Sequence, residues 1–292
     1  MKKLLTAATF VLCALTARAL TVATYNVENY LVTDRMVEGV FRQAYPKPES
    51  EKAALRKVIG AIAPDILAIQ EMGKRPLLDE LQKDLRAEGH DYPYAEVLEA
   101  GDEARHVAFL SKVPPKNVKG HARVAVSYKG KRDIVKRGVL EATFPTAHGD
   151  LTVFIVHLKS RRTEDESDPE GVAQRGAEAE AVRDVVLSRF PDPSKGLFLI
   201  CGDFNDTRNS RALRALTKRG DSEVVDILRA GDSRGETWTH FYRREDTYSR
   251  IDYLAVSAEL RKLIVGGRGH IHDGPGVSDA SDHRPVYLKL KD

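Results

Sequence analysis

Short apolar runs, each stopping at a polar or glycine residue, recur along this chain. They are Thr21–Tyr25, Ile66–Ile69, Val107–Leu110, Val139–Phe144, Leu151–Leu158, Leu197–Cys201, Ile251–Val256 and Pro285–Leu290. Their Val, Ile, Leu, Phe and Tyr content predicts strands, too many for a helical bundle. Helical period appears between some of them. Glu51–Ala63 sets Leu55, Val58, Ile59 and Ile62 on one face and is stopped by Pro64. Pro76–Ala87 does the same with Leu77, Leu78, Leu81 and Leu85, and Pro169–Phe190 reads as a longer helix with acidic residues on its outer side. Pro46–Pro48, Arg161–Pro169 and the glycine-rich Gly266–Gly276 read as loops. The pattern predicts one α/β domain, two packed sheets with helices outside.

The only long apolar run is N-terminal: Met1-Lys2-Lys3, then Leu4 to Leu15 broken only by Thr6 and Thr9, then Ala17-Arg18-Ala19. This is the pattern of a secretory signal cleaved after Ala19, too short for a membrane span. The expected organisation is a signal over residues 1–19 and a single domain over 20–292, exported to the periplasm or the medium. The 292-residue precursor has a formal net charge of +3. Removing Lys2, Lys3 and Arg18 leaves a formally neutral chain, without the global basic field of a non-specific nucleic-acid binder. Cys13 leaves too, and Cys201, inside an apolar run, reads as a buried inert thiol rather than a nucleophile.

The ends of the strands carry the chemistry. Thr21–Tyr25 runs into Asn26 and Glu28, Ile66–Ile69 into Gln70-Glu71, Val153–Val156 into His157, and Phe198–Cys201 into Gly202-Asp203-Phe204-Asn205. Asp252 opens one strand, and Asp282-His283 precede the last. Alone, each is an ordinary cap, turn or core residue. Together, at one edge of an α/β sheet, they make a ligand site. Asn26, Glu71 and Asp282 are hard oxygen ligands suited to Mg²⁺, with Mn²⁺ or Ca²⁺ as substitutes. Two histidines among carboxylates leave a mixed Mn²⁺ or Zn²⁺ site open, although zinc's usual H-E-x-x-H and Cys pairs are missing from the sequence. Asp203 and Asn205, two apart, would point the same way in extended backbone. One would take a proton from water while the other donates to the phosphorane. Asp252 would orient His283 as a triad carboxylate does. Lys159, on the His157 side of an extended chain, and Arg137, before a strand, are candidates to meet a substrate phosphate.

In order along the chain, YNVE (Tyr25–Glu28), IQE (Ile69–Glu71), VHLKSR (Val156–Arg161), GDFND (Gly202–Asp206), RIDY (Arg250–Tyr253) and SDHRPV (Ser281–Val286) resemble the endonuclease/exonuclease/phosphatase superfamily. The resemblance implies a four-layered sandwich of two central mixed sheets flanked by helices, and a metal-dependent phosphoesterase. It implies Asn26, Glu71, Asp282 and the nearby Glu28 on the metal side. It implies Asp203 as the water-activating or leaving-group aspartate, Asn205 as a phosphate contact, and Asp252 as partner of His283. His283 would contact the scissile phosphate or act as base. His157 matches a second histidine of the deoxyribonuclease and sphingomyelinase branches, which argues against abasic-site repair.

The expected partner is a phosphodiester, nucleic acid foremost and membrane lipid second, with no obligate protein partner. A phosphatase or phospholipid phosphodiesterase is the nearest alternative, and a non-catalytic binding module on the same fold the more distant one. A disulfide-bearing pancreatic-type deoxyribonuclease is excluded by the single remaining cysteine. A lipid-acting enzyme would present an exposed apolar hairpin; the candidates, Ala44–Pro46 and Trp238–Tyr242, are small.

Overall fold

The computed structural model describes residues 19–291. The expected signal, residues 1–19, lies outside them apart from Ala19. Among the described residues no helix is long and apolar enough to cross a membrane.

Two sheets form the centre. In the first, the strand order is Ala230–Gly231, Gly269–Ile271, Val286–Lys289, Thr21–Tyr30, Ile66–Met72, His106–Ser111 and Tyr94–Leu98. In the second it is Asp226–Ile227, Asp252–Val256, Phe198–Asp203, Gly149–His157, Val139–Thr146 and Asn117–His121. Each sheet is mixed, with a parallel pair near its middle: Thr21–Tyr30 beside Ile66–Met72, and Gly149–His157 beside Phe198–Asp203.

Three apolar clusters define four layers. Between the sheets lie Val22, Ile66, Ala68 and Phe109 of the first and Leu140, Phe144, Val153 and Leu199 of the second. Phe109 and Phe144 meet edge to face across this layer at 5.6 Å, and truncating such a ring to alanine costs about 3–5 kcal/mol. Behind the first sheet, helices Glu49–Ile62 and Arg75–Ala87 bury Leu55, Val58, Ile59, Leu78, Leu81 and Leu85. Behind the second, helices Val172–Arg189 and Arg211–Thr217 bury Ala179, Val182, Val186, Leu213 and Leu216. The first helix stops just before Pro64: Ala63 turns left-handed at φ 48° and its N–H returns to Ile59.

All eight expected strands form. Three expectations are corrected. Gly266–Gly276 is not wholly loop, because Gly269–Ile271 adds a strand through His270 opposite Tyr287. The long helix does not keep all its acids outside, because Glu178 is fully buried. The Ala44–Pro46 turn belongs to a larger feature, a hairpin of Thr33–Val37 and Val40–Tyr45 whose Met36 and Phe41 are each 62% exposed. Cys201 is buried in the inter-sheet core, where burial pushes its thiol far up, as an inert role requires.

Candidate active site

The two parallel pairs end at the same edge of the sandwich. In register, His157 lies opposite Asp203, and Asp203 opposite Asp252. The first sheet approaches from the other layer. Its strands are bulged there, with register breaks between Asn26 and Tyr30 and between Ile69 and Met72. Glu28, Asn29 and Glu71 take left-handed φ of 46°, 54° and 60° at these breaks. Bulges re-aim side chains, and non-glycine residues held left-handed mark a backbone constrained by its surroundings.

Asp203 is the hub. Its Oδ2 accepts from Asn26 Nδ2 at 3.1 Å, a bond between the two sheets, and lies 3.5 Å from His157 Nε2 and 3.9 Å from His283 Nε2. Its Oδ1 accepts from the Asn205 N–H at 2.8 Å. Burial, then the charge of Asp252, pushes the Asp203 carboxyl up to about 7. His283 Nδ1 sits 2.8 Å from Asp252 Oδ2. Burial opposes charging this ring, but Asp252, Asp282 and Asp203 outweigh it and hold His283 well above the usual histidine range. His157 goes the other way. Burial, then the charges of Arg137, His283 and Arg105, hold it well below that range, so it is a neutral imidazole. Its Nδ1 is buried without a partner.

The last motif is tied to the first strand. Ser281 Oγ donates to the Asn26 carbonyl at 2.8 Å and accepts from the His283 N–H at 3.0 Å, and Glu28 Oε2 accepts from the Asp282 N–H at 2.8 Å. Glu28 thus holds the Asp282 backbone, while Lys47, with its side chain buried, braces Glu28 from behind through Nζ to the Glu28 carbonyl at 3.1 Å. Glu71 Oε2 accepts from the Asn29 N–H at 2.9 Å.

Two sequence-based orientations differ from the structure. Asn205 is not extended beside Asp203: the strand ends at Asp203, Asn205 turns left-handed at φ 52°, and its Nδ2 donates to the Leu158 carbonyl at 3.0 Å. Lys159 leaves the strand that ends at His157, and its Nζ donates to the carbonyls of Ser160 and Arg162. Arg137 is buried near His157 as an ion pair with Asp102, with 2.9 Å from its Nε to Oδ2. The sequence reading missed His240, which pairs backbone to backbone with His283, sets its ring tilted against the His283 ring with 4.6 Å between centroids, and lies 3.7 Å from Asp282 Oδ2 through Nε2. It also missed Arg105, 3.9 Å from Glu71 Oε2. Neither ends an apolar run, the signal that marked Asn26, Glu71, His157 and Asp203.

The donors suit a divalent cation. Glu28, Glu71, Asp203, Asp252 and Asp282 crowd one edge, and burial together with their mutual repulsion raises Glu28 and Asp203. Among the described residues, two groups of ligand atoms gather, each within 4.8 Å: His240, Asp282 and His283, and Asp203, Asp252 and His283.

The sequence profile of the Endonuclease/Exonuclease/phosphatase family matches residues 23–283. The chain belongs to that family. Its fold is similar to sphingomyelinase C from Streptomyces griseocarneus, with 16% identity, a TM-score of 0.63, and coverage of 94% of this chain and 100% of that one. It is similar to a beta toxin mutant from Staphylococcus aureus with bound magnesium ions, with 16% identity, a TM-score of 0.65 and the same coverage. It is similar also to the human Nocturnin catalytic domain with bound sulfate, with 15% identity, a TM-score of 0.62 and 94% coverage of each chain. At these identities the likeness is one of fold. No curated protein matches the chain.

Proposed function

We propose that this chain is a divalent-metal-dependent phosphodiesterase of nuclease type, hydrolysing P–O bonds with activated water. The carrying observation is the convergence of Asn26, His157 and His283 on Asp203, with Asp252 behind His283. Asp203, raised by burial into the neutral range, takes the proton of the attacking water. His283, held charged and oriented by Asp252, donates from Nε2 to a phosphoryl oxygen as negative charge develops. The P–O bond to the leaving group then breaks, the departing oxygen takes a proton from solvent, and Asp203 returns to solvent the one it drew from the attacking water. Neutral His157 stands beside these two side chains, with Nε2 3.5 Å from Asp203 Oδ2, and helps to seat the same phosphoryl group. Glu71, Asn26 and Asp282 would hold the metal, which supplies positive charge to the phosphoryl oxygens; Mg²⁺ fits this oxygen set, and His240 makes Mn²⁺ its nearest rival.

The Met1–Ala19 pattern supports an exported enzyme. Fractionation of the producing cells should place the protein outside the cytoplasm with Leu20 as its first residue, and recovery only from the cytoplasm with Met1 retained would refute export. For activity, the protein is incubated with Mg²⁺ or EDTA and with bis-p-nitrophenyl phosphate, p-nitrophenyl phosphate, DNA or RNA. EDTA-sensitive cleavage of the diester and a nucleic acid is expected. Cleavage of the monoester alone would replace this reading with a phosphatase, and no turnover at all would refute it. The exposed Met36 and Phe41 hairpin favours a second reading, a lipid phosphodiesterase, which sphingomyelin vesicles test directly.

A further inference from the structure

We infer that Lys47 and Arg35 are positioning residues for the metal side of the site: they clamp the backbone of Glu28 and Asn29 in the course that aims Glu71 and Asp282. This rests on the metal set of the phosphodiesterase reading and adds the device that fixes its geometry.

The first strand leaves its ladder at this point. Between the pairs Asn26–Gln70 and Tyr30–Met72, residues 27–29 face Glu71 alone. Glu28 and Asn29 both run left-handed there. Each also holds one metal-side residue: the Asn29 N–H donates to Glu71 Oε2, and Glu28 Oε2 accepts from the Asp282 N–H. The Glu28 N–H in turn donates to Asn26 Oδ1 at 3.0 Å. The aim of all three ligands therefore depends on two residues in a conformation that persists only where its surroundings over-determine it.

A bulge strands carbonyls that the ladder would have paired. Here two cations take them, one from each end of the exposed hairpin. Lys47 follows the second hairpin strand. Its side chain is wholly buried, and its Nζ donates to the Glu28 carbonyl at 3.1 Å and pairs with Glu51 Oε2 at 3.1 Å. Arg35 lies on the first hairpin strand. Its Nη2 donates to the carbonyls of Asn29 at 2.9 Å and Leu31 at 2.8 Å, and its Nε to the Tyr45 carbonyl at 3.2 Å. Two consecutive left-handed residues thus have their carbonyls held by two different cations. Taking an ammonium out of water is costly unless it is paired and hydrogen-bonded, and bonds from charged donors are the strong ones. A hairpin that only reached into solvent would need neither cation at its base.

Mn²⁺ titration of the protein, followed by electron paramagnetic resonance, tests the clamp without turnover. Lys47→Met and Arg35→Gln should each weaken Mn²⁺ binding about 10- to 100-fold, the scale on which lost outer support acts at a metal site. Arg35→Lys should keep part of the affinity, since an ammonium still reaches one carbonyl. Phe41→Ser, on the same hairpin, should bind as the wild type does. Urea denaturation of each variant separates lost aim from lost fold, and Arg35, nearer the surface, carries the test if Lys47→Met does not fold. At saturating Mn²⁺ the variants should recover turnover of bis-p-nitrophenyl phosphate, because neither cation touches substrate. Wild-type Mn²⁺ affinity in a folded Arg35→Gln would overturn the inference, as would an equal loss in Phe41→Ser or turnover that stays lost at saturating Mn²⁺. A wild type that binds Mn²⁺ yet cleaves no diester would count against the phosphodiesterase reading, while the titration alone would still decide the clamp.

Discussion

Asp252 holds the ring of His283 from behind, with 2.8 Å between Oδ2 and Nδ1, and both side chains are almost wholly buried. The pair fixes which nitrogen faces Asp203. Asp252→Asn keeps the shape but removes the charge that keeps His283 protonated. We expect kcat on bis-p-nitrophenyl phosphate to fall about 10²–10⁴-fold with little change in KM, the range for a lost general-acid or orienting group. An unchanged kcat would separate this pair from the chemistry.

Glu71 is held in a left-handed bulge and bonded to the Asn29 N–H, which aims its carboxylate at the site edge. Glu71→Gln should weaken divalent-metal binding by about 10- to 100-fold, the scale on which perturbed metal sites respond. Mn²⁺ titration followed by electron paramagnetic resonance reads this without reference to turnover. Wild-type affinity in the variant would remove Glu71 from the metal set.

Gly202 precedes the hub aspartate at φ 145°, and a Cβ there would sit 1.8 Å from the Val156 carbonyl oxygen of the neighbouring strand. Backbone, not a side-chain tip, would have to move. Gly202→Ala should therefore cost more than about 4 kcal/mol, in the exceptional range for one substitution, or abolish folding, as read by urea denaturation. A loss below about 1 kcal/mol would refute the close approach.

Glu178 is fully buried, and burial pushes its carboxyl up to about 7, with Arg137 and two backbone N–H groups only partly opposing. A carboxyl raised in the folded state favours folding below the unfolded pKa and loses that contribution as pH rises through the folded one. The wild type should therefore lose about 3 kcal/mol between roughly pH 4.5 and 7 from this group. Glu178→Gln should flatten the stability profile in that window, measured by denaturation at closely spaced pH values. An unaltered slope would show that Glu178 does not titrate there.

The eight core strands were legible because burial on both faces forces continuous apolar runs. Tyr94–Leu98 and Asn117–His121 were not, since edge strands keep exposed, polar positions. The candidate site was legible where a polar residue ends such a run: Asn26, Glu71, His157 and Asp203. It was illegible where loops supply the group, as with Arg105, or where a hairpin brings a residue back, as with His240. Side-chain direction failed past the last strand residue, as Asn205 and Lys159 show, because period-two alternation holds only while the backbone stays extended.

The strand Thr21–Tyr30 stands near the middle of its sheet, with Thr21 opposite Lys289 on one side and Val22 opposite Ile66 on the other. Its C-terminal neighbour, Val286–Lys289, is synthesised long after it. A chain emerging from the ribosome therefore carries a central strand paired on one edge by Ile66–Met72 and bare on the other until that segment appears. Folding must await a contact spanning almost the whole sequence, the kind of topology that slows folding. Nascent chains stalled before residue 281 would lack both that strand and His283, so the appearance of hydrolysis would time the completion of the fold.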